Sequence, residues 1–248
     1  MYSKALNTKI KVLGNNHLDV AKTYRNMGMV YHMLGDYEKA VEYQNRDLNI
    51  KLKVVSPDHL DTASTHCHIG HIYASIGEYK KALEYHNKDL EICLKVFGPK
   101  HLESAKTKVN IAILYQEMGE YKKALDTFNQ ALPVEEATLG CDHTDVADTY
   151  GHIWILYQLQ GKYSEASEMH QKCLKIKTRV YSPDHPSVAG THYNIACTHS
   201  LAGTVGQALA SLEEAVRAGF RDKGRIESDC DLDKIRDHEH FRQILSQM

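Results

Sequence analysis

The sequence predicts an all-α chain of stacked helix hairpins. Three observations carry that prediction: an unbroken 42-residue period, small residues at fixed places within it, and helical apolar patterning between them. His17, His59, His101, His143 and His185 each open one copy, with no insertion between the first and the last. A fold with one closed core has no reason to keep such regularity. Counted from each His, an Ala stands fifth (Ala21, Ala63, Ala105, Ala147, Ala189), a Gly nineteenth (Gly35, Gly77, Gly119, Gly161, Gly203) and an Ala twenty-fourth (Ala40, Ala82, Ala124, Ala166, Ala208). Such residues mark close backbone approach and tight turns.

In copy two, Ala63, His66, Ile69, Gly70, Tyr73 and Ile76 fall on one helical stripe. After Gly77 come Tyr79, Ala82, Leu83, His86, Leu90, Leu94 and Phe97 on another. Each copy is therefore expected to be two amphipathic helices. Capping-box-like starts are read at Asn16–Asp19, Asp58–Asp61 and Asp142–Asp145, with an acid in the first turn where the helix dipole favours it. The nineteenth-place Gly suits the left-handed turn between the helices, and Pro at Ser56-Pro57-Asp58, Gly98-Pro99-Lys100 and Ser182-Pro183-Asp184 ends the second helix.

Taken in order, residues 1–16 match the second helix of a repeat without its first, with Tyr2, Ala5 and Leu13 at the matching places. An uncapped half repeat exposes an apolar face, so the expectation is a trimmed segment or a piece of a longer protein. Copies one and two (17–58 and 59–100) are the most regular. Copy three (101–142) carries Pro133 inside its second helix, where a kink or early unwinding and a looser contact to the next copy are expected. Copy four (143–184) places Trp154 where copies one and two have Gly28 and Gly70, and burial rather than ligand contact is expected for it. Copy five (185–220) diverges, with His199 and Val205 replacing the usual Tyr pair. Residues 221–248 break the period and read as a capping segment of one or two short helices, with Asp237 as an N-cap. Thr at the seventh place (Thr23, Thr65, Thr107, Thr149, Thr191) recurs without a role that the sequence alone assigns.

Gly70, Tyr73, Gly77, Glu78, Tyr79 and Ala82 resemble the core pattern of the tetratricopeptide repeat, here in its long 42-residue form. With HLDVAKTYRNMG at His17 and HTDVADTY at His143, the copies are most similar to the repeats of kinesin light chains and nephrocystin-type proteins. The resemblance covers about residues 1–220. It implies a right-handed α-solenoid whose first helices line a concave groove, and a non-catalytic scaffold or adaptor that binds a peptide or protein segment there. The scaffold is generic, so the partner must be argued from the groove itself.

Carried over from that geometry, the groove places give Lys22, Arg25 and Asn26 in copy one, His68 and His71 in copy two, Lys106 and Asn110 in copy three, His152 in copy four and Asn194 in copy five. The tenth place alternates Asn and His (Asn26, His68, Asn110, His152, Asn194) beside an apolar eleventh place. Asn offers both a donor and an acceptor, which suits the backbone of an extended peptide; the competing reading is hydrogen bonding between neighbouring helices. The carboxylate clamp of chaperone-type relatives is only partly present, with Arg25 and Lys106 in place but Met29, His68 and Asn110 at the other positions. The cations Lys22, Arg25 and Lys106 incline the groove mildly toward an acidic segment.

Other chemistries find less support. Of 248 residues, 42% are hydrophobic and 25% charged, and the net charge is −2, which gives no bulk attraction to nucleic acid or anionic membrane. No apolar run is long enough to span a bilayer and no signal-peptide layout opens the chain, so a cytoplasmic location is expected. The six Cys are scattered without a CxxC pair and are expected to be reduced. Among sixteen His, His66, His68 and His71 invite a metal hypothesis, but no third ligand has a position assured by sequence, so no metal or cofactor is expected. No nucleophile–base arrangement or phosphate loop stands out, and no enzyme is expected. The alternative to a groove-binding adaptor is a structural or sensor segment of a larger multidomain signalling protein.

Overall fold

Each first helix begins on an imidazole. In a computed structural model, which describes residues 2–248 and side chains from residue 4 onward, His17, His59, His101, His143 and His185 hold extended backbone, and their Nδ1 atoms accept the backbone N–H two residues on at 3.1–3.2 Å. The repeat-opening His is thus itself the cap. The expected caps Asn16, Asp58 and Asp142 stand one residue too early. The Tyr2 side chain lies outside the described residues.

The helices follow the sequence pattern. After α1 (Tyr2–Leu13) come the hairpins α2 (Leu18–Met33) with α3 (Tyr37–Val54), α4 (Leu60–Ser75) with α5 (Tyr79–Phe97), α6 (Leu102–Glu117) with α7 (Tyr121–Leu139), α8 (Thr144–Leu159) with α9 (Tyr163–Val180), and α10 (Pro186–Leu201) with α11 (Val205–Arg217). The nineteenth-place glycines turn each hairpin at φ between 72° and 82°, where a Cβ would be strained. The five twenty-fourth-place alanines are all fully buried, at the close approach of the helices.

A second pair of places sets the hairpin width. Gly28 leaves room for Gln44, whose Nε2 donates to the Arg25 carbonyl at 3.2 Å, and Gly70 leaves room for His86; a Cβ on either glycine would meet those side chains at 2.7–2.8 Å. Copy three fills the same two places with Ala112 and Phe128, both fully buried, and copy four with Trp154 and His170. Trp154 is buried, as expected.

The face buried by the second helix differs from the expected one. In α5 the buried residues are Ala82, His86, Asp89, Ile92 and Cys93, whereas Leu90 is half-buried and Leu94 and Phe97 remain more than a third exposed. The stripe is rotated because a polar residue, Asp89, is turned inward to meet the next copy.

The chain divides into two compact units, one ending at Val134 and the other formed by Glu135–Met248. The division falls one residue after Pro133. The helix itself does not unwind there, since α7 runs on to Leu139; only the one donor that proline lacks is lost. In the second unit, α12 (Lys223–Ser228), a 3-10 turn (Cys230–Leu232), α13 (Asp233–Arg236) and α14 (Glu239–Ser246) fold back over copy five. Ile226, Leu232, Ile235, Phe241 and Ile244 close over Tyr193, Leu209 and Leu212, each worth about 1.5–3 kcal/mol of side-chain burial. His238, not Asp237, caps α14.

Candidate functional site

Four of the seventh-place threonines, Thr23, Thr65, Thr107 and Thr149, clasp one copy to the one before. Thr65 Oγ1 donates to Asp47 Oδ2 of α3 at 2.6 Å and accepts from Lys51 Nζ at 2.7 Å, while Lys51 and Asp47 pair at 2.8 Å. Both charges are buried; Lys51 also donates to the Asp61 carbonyl at 2.9 Å, while Asp47 takes its bonds on Oδ2 and its Oδ1 has no partner. Thr107 donates to Asp89 at 2.9 Å, Thr149 to Glu135 at 2.8 Å, and Thr23 accepts from Lys9 at 3.0 Å. Each clasp fixes the first helix half a turn before the ninth and tenth places, and so aims the side chains expected to line a groove.

One such lining is a cleft of about 490 Å³ between α4, α5 and α6. His68 of α4 and Lys106 and Asn110 of α6 line it together, with Ser64 and Cys67 beside His68. Its remaining wall comes from Asp89, Cys93 and Phe97 of α5, residues that the reading of first-helix places did not include. Lys106 stands exposed at the rim, 3.9 Å from Glu103. Arg25 reaches from α2 toward Ser64 Oγ at 3.4 Å, and its Nε is buried without a hydrogen-bond partner.

The other expected residues lie apart from this cleft. Lys22 is exposed and Asn26 half-buried on α2, and His71 stands exposed on α4 within reach of the Asn110 side chain. His152 on α8 and Asn194 on α10 occupy the same tenth place in the second unit, both half-buried. The structure thus brings three of the expected residues, His68, Lys106 and Asn110, into one lining.

The cleft is electrically quiet. Burial pulls the His68 imidazole below its ordinary value, helped by the charge of Arg25, so the ring is neutral near pH 7. Burial likewise pushes the Cys67 and Cys93 thiols up to about 12, and raises the Asp89 carboxyl against the opposing hydrogen bond from Thr107. Un-ionised thiols are poor nucleophiles. What remains is a wall of donors and acceptors with the carboxyl groups of Asp89 and Glu103 and the one cation Lys106, suited to hydrogen-bonding a polypeptide. All six Cys are free, and no helix among the described residues is long and apolar enough to cross a membrane.

The comparisons with known proteins agree with this architecture. The BtubC (BKLC) structure from P. vanneervenii is similar at 19% identity and a TM-score of 0.75, over 88% of this chain and 86% of that one. A Podosopora anserina protein, described as a kinesin light chain with nearly identical TPR-like repeats, gives 20% identity and a TM-score of 0.71 over 82% of this chain and 96% of its own. The apo form of RapI gives 18% and 0.65, over 88% of each chain. These likenesses bear on the fold. No curated protein matches the sequence. The family profile described as Tetratricopeptide repeat matches residues 1–53, 61–137, 103–179 and 145–218. The chain belongs to the tetratricopeptide repeat family, a scaffold of stacked helix pairs that supports protein interaction.

Proposed function

We propose that this scaffold holds a peptide segment of a partner protein along its first helices, as a cytoplasmic, non-catalytic adaptor, and that the cleft between copies two and three is one seat for it. The observation that supports this reading is the convergence of His68, Lys106 and Asn110 on one lining whose thiols and imidazoles are neutral. Asn110 supplies a donor and an acceptor for a peptide unit, and His68 a second polar contact. Lys22, Arg25, Asn26 and His71 extend the same face, and His152 and Asn194 repeat it in the second unit. Lys22 and Lys106, both exposed, favour acidic side chains on the partner, so binding should weaken as salt rises. Free thiols in every described Cys suit a reducing compartment.

Peptide-array binding by wild type and by Asn110→Ala tests the proposal. The variant should keep its helical circular dichroism and lose about tenfold in affinity, the worth of one peptide hydrogen-bond pair. Equal binding by both proteins removes the central residue and the reading with it.

A further inference from the structure

Cys67 and His71 stand one turn apart on α4, and His86 of α5 rises beneath Gly70 between them. Cys67 Sγ lies 3.9 Å from His71 Nε2, and the rings of His71 and His86 have centroids 5.0 Å apart. One donor atom from each of the three side chains lies within 4.8 Å of the other two. The missing side chain at Gly70 admits the His86 ring, whose Nε2 would be 2.7 Å from a Cβ there.

The internal repeat supplies a comparison for His86. Its counterpart in copy four, His170, shares a hydrogen bond of 2.9 Å between Nε2 and Thr198 Oγ1 of the following copy. The residue of copy three at the place of Thr198 is Leu114, which has no polar side-chain atom to offer. His86 is 1% exposed, and its Nδ1, like that of His170, has no hydrogen-bond partner. The threonine that meets His170 Nε2 thus has no polar equivalent beside His86, and a thiol and a second imidazole stand there instead. The other copies do not assemble this set: copy one has Arg25, Met29 and Gln44 at the three places, and copy three has Val109, Ile113 and Phe128.

We infer that Cys67, His71 and His86 bind a divalent transition-metal ion, zinc by preference, through one thiolate and two imidazoles, with a fourth position open to solvent. The donor set is soft to borderline and has no carboxylate, which selects against magnesium and calcium. Tetrahedral zinc holds such donors about 3.3–3.6 Å apart, so small rotations of Cys67 and the exposed His71 complete the site. The thiol gives its proton to water as the metal–sulfur bond forms. Asn110 of α6 in the following copy, within reach of His71, steadies that ring. None of this depends on peptide binding.

Titration of the purified chain with Co²⁺ as the probe tests the site. The expected result is one ion per chain, with a thiolate-to-cobalt charge-transfer band and the intense d–d bands of four-coordination, both removed by added Zn²⁺. Cys67→Ser should abolish the charge-transfer band. His86→Gln, which installs the residue that copy one packs against its own glycine, should lower affinity by about tenfold or more. His68→Ala should leave the titration unchanged. If His86→Gln loses its helical circular dichroism, His71→Ala at the exposed ligand provides the same test. A cobalt spectrum without a thiolate band, binding unchanged in Cys67→Ser, or no binding at all overturns the inference.

Discussion

In copy two, α4 presents Gly70 to His86. In copy four, α8 presents Trp154 to His170 at the same two places, with ring centroids 3.8 Å apart. One pair leaves a space for an imidazole; the other sets a tilted indole against it. The indole is accommodated by extending toward the following copy, where Trp154 Nε1 donates to Thr198 Oγ1 and to Gln158 Oε1, each at 3.1 Å. Gln158 in turn donates to Asp231 of the capping segment at 3.1 Å. Copy four is therefore tied to copy five and to the cap through one polar network that includes His170 Nε2, whereas copy two faces Leu114 at the place of Thr198. A repeat place specifies a volume and a direction, and the neighbouring copy decides which side chain can use them.

The largest effect that should break this comparison is Trp154→Gly, which gives copy four the glycine of copy two without shrinking its surroundings. The cavity and the loss of the two indole hydrogen bonds should cost about 3–5 kcal/mol, read from urea unfolding of the full chain. Acidification should act on both copies. His86 and His170 are pulled by burial from the ordinary 6.5 to about 3, so the native state keeps them neutral while the unfolded chain protonates them. Their contribution is intact above about pH 6.5 and is lost as the pH falls toward 3. Between pH 7 and pH 5 each should cost about 2 kcal/mol, and His86→Gln should remove its share of the slope. Gly70→Ala should cost about 1–2 kcal/mol, because the new Cβ would sit 2.7 Å from His86 Nε2 and the ring must give way. An unchanged urea midpoint in Gly70→Ala would show that the glycine does not set the hairpin width.

Where the chain constrains itself locally, the sequence was a sufficient guide. The period, the Gly turns at Gly77 and its counterparts, and the fully buried alanines at Ala82 and its counterparts follow from spacing alone. Two features escaped it because they depend on what lies opposite. The spacing points to Asp58 and its equivalents as helix caps, whereas His59 Nδ1 is what reaches the backbone N–H. The inward turn of Asp89 requires Thr107 from another copy, and it leaves Leu94 and Phe97 exposed. In the candidate cleft, first-helix places identified His68, Lys106 and Asn110, but the α5 wall of Asp89, Cys93 and Phe97 follows from that same rotated stripe.

The threonine clasps also bear on how such a chain can be rearranged. Because Thr65 is held by Asp47 and Lys51, and Thr107 by Asp89, a second helix and the first helix after it behave as one block. Shuffling or grafting copies by cutting just before each opening His would separate each threonine from the partners it holds, Asp47 and Lys51 for Thr65 and Asp89 for Thr107, and leave it to whatever the new neighbour offers. Splicing inside the Gly turns would carry each matched block over whole, and the transplantable module is offset by half a period from the repeat as its sequence is counted.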